Sequence, residues 1–156
     1  MIAIDIPGHG KIEVKHLVLD YNGTLAIDGK LISGTRPLLE NISRKLTIHV
    51  LTADTFGTSK KELTGINCNL KILKSSQQDI QKEGYLVRLA GEQVIAIGNG
   101  MNDSLMLKKA DIGIAVVQKE GTSIKSLLCA DIVCSNIIDA LEMIIYTQRI
   151  VATLRN

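Results

Sequence analysis

An apolar run that halts at a carboxylate and turns at once sets the terms for this chain: Leu17-Val18-Leu19 is followed directly by Asp20-Tyr21-Asn22-Gly23-Thr24. A tripeptide of this kind, β-branched at its centre, reads as a buried strand. The polar residues after it then fall at the strand's carboxyl end, where open α/β sheets place ligands. The design recurs in Thr47-Ile48-His49-Val50-Leu51, which runs into Thr52-Ala53-Asp54, and in Gln93 to Ile97, which runs into Gly98-Asn99-Gly100-Met101-Asn102-Asp103. In a parallel sheet the three ends share one edge, so residues far apart in sequence converge on one pocket.

The rest of the chain supplies the layers around these strands. Ile2 to Ile6 and Lys11 to Lys15 alternate apolar and polar around Pro7-Gly8-His9-Gly10, as a β-hairpin does. Ala26 to Gly34 reads as a short polar connection. Thr35-Arg36-Pro37 followed by Leu38, Leu39, Ile42 and Leu46 has helical spacing with proline near its start. Further helices are expected over about 58–63, 78–89, from the 98–103 loop onward through Leu105, Met106 and Leu107, and near 122–128, with one closing helix from Ile137 to Leu154. Strands are expected at 70–73, 112–116 and 131–134. Strands alternating with helices mean an α/β domain, Rossmann-like, with a mostly parallel sheet. At 156 residues, 46% of them hydrophobic, the whole chain suits one domain with a substantial core.

Charge and cysteine usage narrow the function classes. Eighteen Lys and Arg against sixteen Asp and Glu leave a net charge of +2, too balanced for a nucleic-acid surface. Cys68, Cys129 and Cys134 form no C-x-x-C pair and suit a reducing compartment as core or near-core thiols. No apolar run approaches the roughly 18 residues of a membrane span, so a soluble, cytoplasmic protein is expected.

The groups at the shared edge suit phosphate chemistry. Asp20 can attack phosphorus or hold a metal, Gly23 lets the backbone approach a phosphate, and Thr24 offers a hydroxyl and an N–H. Asn99, Asn102 and Asp103 can supply oxygens to a hard cation such as Mg²⁺ beside Asp20. Thr52 can hydrogen-bond a phosphoryl oxygen, and a nearby lysine would offset the charge of the transferring group.

Asp20-Tyr21-Asn22-Gly23-Thr24, Thr52 and Gly98-Asn99-Gly100-Met101-Asn102-Asp103 together resemble the ordered motifs of the haloacid dehalogenase superfamily of phosphohydrolases. From Val94 to Val133, through Ala110-Asp111-Ile112-Gly113-Ile114-Ala115 and Ala130-Asp131, the chain is most similar to the phosphorylation domain of P-type ATPases. The resemblance implies a phosphoryl-accepting nucleophile at Asp20, with its carboxylate and the Asn22 backbone carbonyl on Mg²⁺, and metal contacts from Asn99, Asn102 and Asp103. It implies phosphate binding by Gly23, Thr24, Thr52 and Ala53, and a motif lysine at Lys82, 17 residues before Asn99, with Lys74 the alternative.

Two positions depart from the family pattern. Asn22 stands where phosphatases carry an acid–base Asp, and P-type ATPases also lack that acid. Asn99 stands where the loop usually gives Mg²⁺ a carboxylate, which weakens the expected metal site. The gaps from Asp20 to Thr52 and from Thr52 to Lys82, 32 and 30 residues, are too short for a cap domain. An open site is therefore expected, one that leaves room for a macromolecular substrate or for homo-oligomerisation. Three function classes fit: a Mg²⁺-dependent phosphohydrolase or phosphotransferase working through aspartyl-phosphate and slow to release it, a soluble ATPase-like phosphoacceptor, and a degenerate binding or regulatory domain.

Overall fold

The computed structural model describes residues 1–54, 57–89 and 93–156. Its opening hairpin and the Asp20 strand are one continuous element. β1 (Ile2–Ile6) pairs antiparallel with the first half of β2 (Gly10–Asp20), joining Ile2 to Val14 and Ile6 to Gly10. The second half of β2 is apolar and buried on both faces, with Leu17, Val18 and Leu19 all inaccessible to solvent. Fully burying such side chains contributes about 1.5–3 kcal/mol each, which holds this half at the centre of the sheet.

The chain leaves β2 through a small hairpin of β3 (Ala26–Ile27) and β4 (Lys30–Leu31), then forms α1 (Thr35–Ile42), β5 (Thr47–Thr52), α2 (Ser59–Glu62) and β6 (Asn69–Ile72). It crosses back through α3 (Gln78–Arg88) to β7 (Gln93–Gly98). A single 3₁₀ turn (Met101–Asp103) leads into α4 (Ser104–Lys109), followed by β8 (Ile112–Val116), α5 (Ile124–Cys129), β9 (Ile132–Cys134), α6 (Ile137–Ile145) and α7 (Gln148–Leu154). The main sheet has the order β6-β5-β2-β7-β8-β9, parallel throughout, with β1 added antiparallel beside β2. The order reverses at β2, whose neighbours β5 and β7 lead away in opposite directions. The crevice beyond Asp20 is therefore the switch point of the sheet.

Helices cover both faces. Leu17, Leu19, Val50, Ile95 and Ile97 pack with Leu39 of α1, Leu141 and Ile144 of α6 and Ile150 of α7. Val18, Leu51 and Ala96 pack with Leu86 of α3 and Met106 and Leu107 of α4. Cys134 is buried, Cys68 and Cys129 are half-buried, and all three are free thiols.

Two sequence expectations are corrected. The 26–34 connection is not plain loop: Asp28 (φ 50°) and Gly29 (φ 77°) both adopt left-handed backbone, the turn that closes a two-residue hairpin. The C-terminal segment is two helices rather than one. Tyr146, at φ −106° and ψ 71°, breaks the helix so that α7 can turn and cover β1, an orientation a straight continuation of α6 does not have.

Candidate active site

Asp20, the last residue of β2, lies 2.6 Å through Oδ1 from the Nζ of Lys82. Lys82 projects from the sheet-facing side of α3, one turn before Leu86, and is only 1% exposed. The same Nζ lies 2.5 Å from Oδ1 of Asp103, which is fully buried. One ammonium thus bridges two carboxylates delivered by β2 and by the loop after β7. Burial disfavours the Lys82 ammonium, but Asp103 and Asp20 outweigh it and raise its pKa above the ordinary lysine value. Burial and then the Asp103 charge push Asp20 up to about 6, against the opposing pull of Lys82. Lys74, the alternative lysine, is exposed and outside this cluster. Its backbone pairs with the Gln81 side chain.

The second oxygen of Asp103 organises its own loop, accepting the N–H groups of Asn99 at 2.9 Å and Gly100 at 2.8 Å. This inward turn depends on glycine at 98, where a Cβ would stand 2.5 Å from Asp103 Cγ. α5 buttresses the loop from outside: Ser123 N–H donates to the Asn99 carbonyl at 2.8 Å, and the Ser126 hydroxyl donates to the Gly100 carbonyl. Asn102 turns toward α3, its amide donating to Gln78 Oε1 at 2.7 Å.

The turn after Asp20 is held as firmly. Gly23 has φ 79°, and its α-carbon lies against the Asn99 side chain; a Cβ there would fall 2.3 Å from Asn99 Nδ2. Thr24 is buried and donates to Asn99 Oδ1 at 3.1 Å, while Asn99 Nδ2 donates to the Gly121 carbonyl at 2.9 Å. Asn99 therefore works as a strut between two loops, its amide engaged at both ends. Asn22 differs: its side-chain oxygen is buried with no hydrogen-bond partner. Thr52 ends β5, nearly buried, and its hydroxyl accepts the Asp54 N–H at 2.9 Å. Asp54 in turn accepts the Ser59 N–H at 3.0 Å, tying the loop to α2. Ala53 is half-buried between them.

Gln118 belongs to this site and was missed in the sequence. Its Nε2 donates to the carbonyls of Gly23 at 2.7 Å and Thr24 at 2.6 Å, and its Oε1 accepts the Ile137 N–H at the start of α6 at 3.1 Å. A signal was there: Gln118 follows β8, whose end shares the edge already identified. The β3–β4 hairpin is pinned beside it. Gly29 O accepts from the Thr58 hydroxyl at 2.8 Å and from Tyr21 at 3.1 Å, while the Glu62 and Glu120 carboxylates accept the N–H groups of Leu31 and Asp28.

A divalent cation would find hard oxygens at Asp20 and at the unpartnered Asn22. Asp103 is committed to Lys82 and to its loop, and Asn99 to Thr24 and Gly121. No group of three His, Cys, Asp or Glu side chains able to hold a metal occurs among the described residues. The donors present suit a cation bound through few charges and several neutral oxygens.

The profile of the haloacid dehalogenase-like hydrolases matches residues 77–136, the span from α3 to β9 that carries Lys82, Asn99, Asp103 and Gln118. An uncharacterised protein of Methanocaldococcus jannaschii is 42% identical over 87 residues, covering 56% of this chain and 84% of that protein. The chain belongs to the haloacid dehalogenase superfamily. Within it, a probable copper-exporting P-type ATPase of Archaeoglobus fulgidus is 24% identical over 126 residues, which cover 80% of this chain but 14% of the ATPase. The fold is shared with the 3-deoxy-D-manno-octulosonate 8-phosphate phosphatase of Moraxella catarrhalis, solved with magnesium and phosphate. The TM-score is 0.65 at 14% identity, over 89% of this chain and 90% of that one. Among the described residues no helix is long and apolar enough to cross a membrane.

Proposed function

We propose that this haloacid dehalogenase-like hydrolase is a cytoplasmic phosphohydrolase or phosphotransferase that works through an aspartyl-phosphate on Asp20 and releases it slowly. The observation that carries the reading is the buried Asp20–Lys82–Asp103 cluster at the switch point of the sheet. An Asp20 oxygen forms the new bond to phosphorus while the leaving-group oxygen departs with its electron pair. Lys82 offsets the negative charge on the transferring group, and the Gly23–Thr24 turn and Thr52 hold its oxygens. A divalent cation held by Asp20 and Asn22 would supply further positive charge when bound, as magnesium is present in the Moraxella phosphatase structure.

Asn22 gives the reading its finer content. An amide can neither protonate a leaving group nor activate water, so acyl and aryl phosphates should outpace alkyl esters and the phosphoenzyme should persist. That persistence, with the similarity to a P-type ATPase, keeps a soluble phosphoacceptor as the second reading. Acid-quench trapping with radiolabelled acetyl phosphate and Mg²⁺ tests both. Label retained on the wild type and lost in Asp20→Asn is expected, and turnover that survives Asp20→Asn would remove Asp20 as nucleophile. Label that never discharges to water would select the phosphoacceptor.

A further inference from the structure

A cavity of about 430 Å³ is lined by Asp79, Met101, Asn102 and Lys125. It shares two walls with the site. α3 carries Asp79 in its first turn and Lys82 three residues later, and the loop that carries Asp103 also carries Met101 and Asn102. Asp79 and Lys125 bear opposite charges on the same cavity, and neither forms an ion pair among the described residues. Asn102 holds its amide against Gln78, and Met101, 64% exposed, offers a soft apolar surface.

We propose that this cavity is the leaving-group subsite and that it takes a small dipolar group, amino-acid-like, with its ammonium toward Asp79 and its carboxylate toward Lys125. The inference rests on phosphoryl transfer at Asp20, the reaction that would present a group attached to the phosphate to the walls the cavity shares with the site. A neutral polyol leaves both charges without a partner, a purely anionic group meets Asp79, and a purely cationic one meets Lys125. A dipolar group satisfies both. Lys125 is exposed and Asp79 half-buried, so each contact contributes what a solvated ion pair does, up to about five-fold in affinity.

Four phosphate esters serve as probes: O-phosphoserine, phosphoethanolamine, 3-phosphoglycerate and glycerol 3-phosphate. Their inhibition constants against aryl phosphate turnover, and their dissociation constants by calorimetry, are compared in the wild type, Lys125→Ala and Asp79→Asn. Phosphoserine should bind tightest. Lys125→Ala should shrink its advantage over phosphoethanolamine by up to about five-fold, and Asp79→Asn should shrink its advantage over phosphoglycerate by as much. Asp79 also complements the amino end of α3, so Asp79→Asn is judged on the ratio of ligands, which a loss of helix stability does not change. Equal affinity for the four esters, or variants that alter all four alike, would overturn the proposal. Absence of aryl phosphate turnover would count against the Asp20 chemistry instead, and calorimetry would still decide the cavity: phosphoserine binding weakened by Lys125→Ala upholds it, and no binding overturns it.

Discussion

Asp20→Asn should abolish phosphoryl uptake and at the same time stabilise the fold. Burial and the Asp103 charge raise the Asp20 carboxyl from 3.8 to about 6. A carboxyl raised on folding contributes stability that is complete below its unfolded pKa and is lost as pH rises through its folded one. Above pH 6 the native protein therefore carries an ionised Asp20 at a cost of roughly 3 kcal/mol, taking about 1.4 kcal/mol per pH unit between the two pKa values. Asparagine has nearly the same shape and its oxygen still accepts from Lys82, which also keeps Asp103 at 2.5 Å. The variant should gain up to roughly 3 kcal/mol at pH 8, and the gain should fade toward pH 4. Urea unfolding of both proteins at pH 4.5, 6 and 8 measures this, with equal m values confirming a common denatured state. A variant less stable than wild type at pH 8, or an offset that does not change with pH, would show that Lys82 compensates the Asp20 charge in full and that the reasoning is wrong.

Asn22→Asp should raise hydrolysis of alkyl phosphates by about 10² to 10⁴-fold and flatten the dependence on leaving-group acidity, read from turnover across a leaving-group series. Gln118→Ala strips partners from the Gly23 and Thr24 carbonyls and the Ile137 N–H. At about 1 kcal/mol for each hydrogen bond it should lower stability by roughly 2–3 kcal/mol and raise KM, checked by thermal unfolding and initial rates. Gly98→Ala places a Cβ 2.5 Å from Asp103 Cγ and forces that carboxylate off Lys82; turnover should fall about 10²-fold, and unchanged kinetics would mean Asp103 is not required in place. Asn99→Asp sets a carboxylate oxygen against the Gly121 carbonyl and adds a charge near Asp20. It should melt lower without metal and recover with Mg²⁺, as a tighter ligand of the folded state requires, and calorimetric titration gives the affinities.

What the sequence determined by itself is local. Apolar runs of strand length and the polar groups that stop them depend on neighbours within a few residues, so β2, β5 and β7 and the polar edge at Asp20, Thr52 and Asn99 to Asp103 were legible there. Short or shared elements were not. β3 and β4 have two residues each, too few for a period, and α6 and α7 read as one helix because the break at Tyr146 serves the cover of β1, at the opposite end of the chain. Tertiary structure alone decided what the polar groups do. The family resemblance made Lys82 the preferred lysine, but its burial between Asp20 and Asp103 comes from the packing of α3 on the sheet. Asn99 in sequence is one more oxygen donor; in the fold its amide is taken up by Thr24, 75 residues before it, and by Gly121, 22 residues after. Gln118 reaches back 95 residues to hold the Gly23 carbonyl. Hydrogen bonds act over about 3 Å of space whatever the distance along the chain, so partners this remote exist only once the sheet has brought its strand ends together.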